Sequence, residues 1–174
     1  IEETNVEPVM LDLCGARWDS VGSYVPARSA KRFEQYEVAF CAKAGLGVAV
    51  QYALDVGITQ AFSRTKVLAE KMRAGLGSID GVTVRDVGSE RCGIVTFDVA
   101  GVDVAIVKQT LHERGVNVWT SRVCNNTRLE WETRKAGEGK DDLPQDIVRA
   151  SVHYYNQEWE VERLLESVKE IARG

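Results

Sequence analysis

Arg149 is the residue whose type and setting best suit chemistry. It lies in Ile147-Val148-Arg149-Ala150-Ser151-Val152-His153-Tyr154-Tyr155-Asn156, which opens as a short β-branched strand and closes on Asn156, a good N-cap for an amphipathic C-terminal helix. A guanidinium is always charged and is costly to bury without an anion. Arg149 is therefore either ion-paired in the fold or waiting for a carboxylate or phosphate, and spacing alone favours the ion pair. The other candidates are weaker. Cys14, Cys41, Cys92 and Cys124 lie far apart with no C-x-x-C, and the chain has only two histidines. That spacing predicts neither a zinc site nor a disulfide framework, but reduced cytosolic thiols. Gly45-Leu46-Gly47 has no strand before it, no third glycine and no adjacent Lys-Ser or Lys-Thr, so it is not read as a phosphate loop.

The chain of 174 residues, 44% of them hydrophobic, is long enough for one ordinary core or for one and a half small domains. A net charge of −4 argues against a general nucleic-acid or anionic-membrane surface. The long apolar run Val38 to Val56 carries Lys43, Gln51 and Asp55, so it does not read as a membrane span, and no signal peptide is evident at the start. The expectation is a soluble, cytoplasmic domain. The opening at Ile1 followed by Glu2-Glu3-Thr4-Asn5 reads as a piece cut from a longer protein, although processing would look the same.

The elements that must position Arg149 follow from periodicity. Pro8 to Leu13 reads as a short strand or extended entry, and Gly15 to Pro26 as a loop holding Trp18, Asp19, Ser20 and Tyr24; such a loop carries function or anchors a buried Trp. Lys31 to Gly57 reads mostly as helix, apolar on nearly every face from Phe40 onward, hence a core helix whose neighbours the chain does not fully supply. A second helix, Thr59 to Leu76, shows the stripe Phe62, Thr65, Leu68, Ala69, Met72 and Leu76, with Arg64, Lys66, Glu70, Lys71 and Arg73 on its solvated side. Val82–Val84 and Gly93–Val99 read as an antiparallel pair, Asp103 as the cap of a helix to Arg114, and Val116–Thr120 as a strand. Leu129–Trp131 reads as a further short strand and Thr133–Gln145 as a charged surface loop. The fold class is α+β, with helices covering one face of a small, mainly antiparallel sheet; the division expected is 1–57, a connecting segment with the long helix, and 58–174, the α+β domain.

Four stretches carry a resemblance. They are Lys31-Arg32-Phe33-Glu34; Ala44-Gly45-Leu46-Gly47-Val48-Ala49 with Tyr52-Ala53-Leu54 and Gly57; Gly93-Ile94-Val95-Thr96-Phe97; and Val148 to Asn156 with Glu160 and Arg163-Leu164-Leu165. Taken in order, the chain resembles the C-terminal part of class V aminotransferase-like enzymes that depend on pyridoxal phosphate (PLP), the group of cysteine desulfurases, selenocysteine lyases and isopenicillin N epimerase-like proteins. The resemblance implies the small domain of a fold-type-I enzyme, usually a homodimer, acting at Cα or Cβ of an amino acid. It also implies that Arg149 binds the substrate α-carboxylate, for which a planar guanidinium fork is well matched. Trp119 and Trp18 would then shape the side-chain pocket.

The departures from the family pattern weigh on the reaction. The family's Schiff-base lysine and the acid partner of the pyridine nitrogen lie upstream of the region that Pro8–Leu13 resembles. The chain alone is therefore expected to be inactive and to hold no PLP covalently. Cys124 falls where desulfurases keep their nucleophile, yet Ser121 to Glu130 looks more like the epimerase-like branch, and Trp119 stands where desulfurases place an arginine. Only Arg122 and Arg128 could lower the thiol pKa of Cys124, so it is read as an ordinary loop cysteine. Glu37 stands where relatives supply a phosphate-binding threonine, so that role is not carried over, and His153 reads as structural. The alternatives kept open are a non-catalytic dimerisation or protein-binding module, and desulfurase-type sulfur transfer through Cys124.

Overall fold

A computed structural model describes residues 6–122 and 146–174. The expected strand Leu129–Trp131, the loop Thr133–Gln145 and Cys124 lie outside the described residues. The chain forms two compact units, Ile1–Asp55 and Val56–Gly174.

In the first unit Pro8–Leu13, read as a short strand or extended entry, forms no strand and leads into a turn at Leu13–Gly15. Asp12 instead acts as a hydrogen-bond hub: its Oδ1 accepts from the Cys14 N–H at 2.8 Å and its Oδ2 from the Tyr36 N–H at 2.7 Å. These donors, Tyr36 foremost, hold the Asp12 carboxyl below its usual pKa. Gly15 to Pro26, expected as a loop, is largely a hairpin: β1 (Ala16–Ser20) pairs antiparallel with β2 (Ser23–Pro26). Gly22, with φ of 79°, supplies the left-handed residue its turn requires. The expected helix from Lys31 begins as a short 3-10 helix, Ala30–Phe33, breaks, and resumes as α1 (Phe40–Val56). The core-helix expectation for α1 is corrected, because none of its residues is buried. Helix propensity and backbone hydrogen bonds form it, but no described layer of its unit covers its apolar sides.

The second unit carries the core. Its helices are α2 (Ile58–Gly77), α3 (Val104–Glu113) and α4 (Glu158–Arg173). Its strands are β3 (Val82–Val84), β4 (Ile94–Val99), β5 (Trp119–Arg122) and β6 (Asp146–Ser151), in the all-antiparallel order β3-β4-β6-β5. Alternation decides the two faces. Val95, Phe97 and Val99 of β4 and Val148 and Ala150 of β6 point into the core, against Leu68, Met72 and Leu76 of α2, Val107 and Leu111 of α3, and Val161, Leu164 and Val168 of α4. Asp103 caps α3, its Oδ1 accepting from the Ala105 N–H at 2.7 Å. The N-cap of α4 is Gln157 and not Asn156, because Glu160 Oε2 accepts from both the Gln157 N–H at 2.6 Å and the Asn156 side-chain amide at 3.2 Å.

Two residues of α2 depart from the expected stripe. Phe62 is exposed, and Arg73, assigned to solvent, is only 5% exposed. Arg73 lies four residues after Ala69 and three before Leu76, so it flanks the buried stripe rather than opposing it.

Candidate functional site

β6 is an inner strand of the sheet, between β4 and β5, and its pleat turns Arg149 away from the helices. Register places Thr96 of β4 and Trp119 of β5 directly opposite Arg149 on its two sides. The three side chains therefore form one row on the face the helices leave uncovered. The ion pair expected for Arg149 from spacing is not there: Arg149 is exposed and makes no hydrogen bond or salt bridge to a described residue. A strand that reads as an apolar run is half-buried, so its charge stands in solvent at little cost. Ile147, next along on the same face, is buried.

On one side of Arg149 the row is fixed from below. Thr96 donates its hydroxyl to Asp86 Oδ1 at 2.7 Å, and its backbone N–H to the same oxygen at 2.8 Å. Asp86, whose side chain is 8% exposed, receives the Nε–H of Arg73 at 2.5 Å on its other oxygen. Arg73 also donates to the Cys92 carbonyl at 2.7 Å, the Ile94 carbonyl at 2.9 Å and Glu70 at 3.0 Å. A buried ion pair satisfied this fully is stable where a lone buried charge would not be. Neither Arg73 nor Asp86 was anticipated at the site; the placement of Arg73 beside the buried stripe of α2 is the signal that points to it.

On the other side stands Trp119, 60% exposed, with the Lys108 ammonium of α3 over its ring at 4.1 Å from the centroid. Lys108 is half-buried and makes no salt bridge to a described carboxylate. Nothing local in the sequence pairs position 108 with position 119; the packing of α3 on β5 does.

The remaining expected residues are not assembled here. Trp18 lies on β1 opposite Tyr24 in the first unit and is 77% exposed, not the buried anchor of a loop. His153 is exposed, stacked on Tyr155 at 5.0 Å between centroids, while its backbone N–H donates to Asn156 Oδ1 at 2.8 Å. No group of metal-ligating side chains forms among the described residues, and no helix among them is long and apolar enough to cross a membrane.

PLP requires an imine-forming lysine, an acid beneath the pyridine nitrogen and a phosphate cradle. The Arg149 row offers none of these as a set. Lys71 is bound by Glu162 at 2.6 Å and Glu158 at 3.2 Å in the helix layer, and these carboxylates raise its pKa, the opposite of what an imine-forming amine needs. The exposed guanidinium of Arg149 is thus suited to an anion, and Lys71 is not suited to forming an imine. The chemistry open to this face is carboxylate binding and orientation, with Arg149 as the fork and Trp119 as an apolar wall.

Comparison with known proteins places this geometry in a family. A probable cysteine desulfurase of Methanothermobacter thermautotrophicus is 27% identical over 168 residues, covering 96% of this chain and 40% of the relative. The apo structure of a cysteine desulfurase from Thermococcus onnurineus has the same fold, with a TM-score of 0.72 and 23% identity, over 97% of this chain and 40% of that one. A variant of the lyase C-DES, solved with glycine covalently linked to its PLP cofactor, matches with a TM-score of 0.63 and 21% identity, over 94% of this chain and 38% of that one. The chain thus spans about 40% of the length of such relatives. The family described as aminotransferase class-V matches residues 19–164, and the chain belongs to that family.

Proposed function

We propose that this chain is the substrate-facing part of a PLP-dependent class V enzyme acting on an amino acid, and that Arg149 grips the substrate's α-carboxylate. The observation that carries the reading is Arg149 itself: an exposed guanidinium without a partner among the described residues, on an inner strand, between Thr96 and an exposed Trp119. A bidentate grip fixes the carboxylate plane and so orients the Cα bonds of the substrate toward whatever group performs the chemistry. PLP, when bound in the complete enzyme, supplies the electron sink that makes such bonds labile. A homodimer is part of the same proposal. The chain alone would be inactive.

Two experiments test this. PLP added to the chain, followed by absorbance, borohydride reduction and intact mass, is expected to give no Schiff-base band and no mass gain; a stoichiometric adduct on one lysine would overturn the division of labour proposed. In an enzyme that includes the cofactor-binding region, Arg149→Lys is expected to raise KM at least about ten-fold, the scale of a lost charged hydrogen bond. An unchanged KM would remove Arg149 from the carboxylate site.

A second reading, desulfurase-type sulfur transfer through Cys124, draws on the relative named as a probable cysteine desulfurase. Persulfide-sensitive labelling of Cys124 after turnover with cysteine separates the two: labelling supports sulfur transfer, and its absence supports chemistry without a cysteine nucleophile.

A further inference from the structure

We propose that the Arg149 row contains a second anion subsite, formed by Lys108 on the Trp119 ring, and that the substrate class is an amino acid with a carboxylate side chain. The inference rests on the reading of Arg149 as the α-carboxylate anchor and adds the distal contact. Three observations carry it. Trp119 and Arg149 are register partners, so their Cβ atoms sit about 5 Å apart on one face of the sheet. The Lys108 ammonium is held 4.1 Å from the centre of that indole, so a helix residue is brought to the strand row. Neither Arg149 nor Lys108 makes a salt bridge to a described carboxylate.

The neighbouring charges sharpen the point. Asp98, on the outward side of β4, is paired with Arg85, and the buried Arg73 of α2 is paired with Asp86. Asp103 and Asp146 line the same hollow as Lys108, and Asp103 already accepts the Ala105 N–H as the cap of α3. An aromatic ring satisfies an ammonium less fully than a carboxylate does and leaves its outward N–H donors available. A ligand with one carboxylate would occupy Arg149 and leave Lys108 as it is. A ligand with two, separated by a short methylene chain, would lay that chain along the indole edge and reach both cations.

The test uses the whole 174-residue chain and two probes that differ only in the second carboxylate, glutarate and butyrate, at matched ionic strength. The Trp119 indole N–H resonance, identified by its loss in Trp119→Phe, reports binding. Glutarate is expected to half-saturate at a concentration roughly five-fold lower than butyrate, the scale of one exposed ion pair. Lys108→Gln should bring glutarate to the butyrate level and leave butyrate unchanged, whereas Arg149→Gln should weaken both. Arg149 is exposed and Lys108 half-buried, so neither belongs to the core, and unchanged core resonances will show that the variants remain folded. Equal affinity for the two probes, or indifference to Lys108→Gln, overturns the subsite while Arg149 remains the anchor. If Arg149→Gln changes neither probe, or neither probe binds, the anchor reading fails and the subsite with it.

Discussion

Two arginines in one unit meet opposite fates, and the difference lies in which face of an element each occupies. Arg73 is buried and gives its donors to Asp86, Glu70 and two backbone carbonyls. Arg149 is exposed and gives them to no described residue. Removing Asp86 leaves Arg73 as an uncompensated buried charge, so Asp86→Ala should destabilise the chain by about 3–5 kcal/mol in urea unfolding. Arg149→Gln should change stability by less than about 0.5 kcal/mol, because its side chain is exposed and makes no hydrogen bond or ion pair to a described residue. A small effect of Asp86→Ala, or a large one of Arg149→Gln, would reverse the assignment of one arginine to structure and the other to ligand.

At the level of elements, the ends of strands and helices set the alignment of the row. Gly93 leads into β4 and meets the close of β6: a Cβ built there would lie 2.5 Å from the Val152 carbonyl oxygen and 2.5 Å from Thr65 Cγ2. The carbonyl is backbone and cannot rotate away, so Gly93→Ala should cost about 1–3 kcal/mol, readable as a lower unfolding midpoint. The start of α4 depends on ionised Glu160, whose pKa is lowered by the Gln157 backbone N–H and then by the Asn156 side-chain amide. A carboxylate with a depressed folded pKa contributes stability that is fully present above its unfolded value, near 4.3, and is lost as pH falls through the folded value. Stability should therefore drop as pH is lowered below about 4. Glu160→Gln should flatten that part of the profile; an unaltered acid limb in the variant would show that the drop has another source. The cap of α3 is simpler, and Asp103→Ala should cost about 1 kcal/mol.

For the whole molecule, α1 is the feature that most sets this chain apart from a self-contained domain. Leu46, Val50 and Leu54 follow at intervals of four along one side of the helix, and all three are exposed. Such a surface should bind an environment-sensitive dye and promote concentration-dependent association. Changing those three residues to Gln should reduce both and leave far-UV circular dichroism unchanged, since Gln is a good helix former. Equal dye binding by the variant would place the sticky surface elsewhere. The sequence by itself determined most of the α2 stripe, the C-terminal helix, the β3–β4 pairing, the Asp103 cap and the family, because period, capping and motif order are local or linear signals. Through the family resemblance it also offered Arg149, Trp119 and Trp18 as candidate site residues, of which the structure brings Arg149 and Trp119 together. It did not reveal the hairpin at Ala16–Pro26, whose strands are short and interrupted by polar residues, nor the break before α1. Only the tertiary structure decided that Arg149 lies open, that Arg73 is buried against Asp86, and that Lys108 rests on Trp119. Those outcomes depend on strand register and on which face the helices cover, and contacts between residues far apart in the chain leave no periodic trace in it.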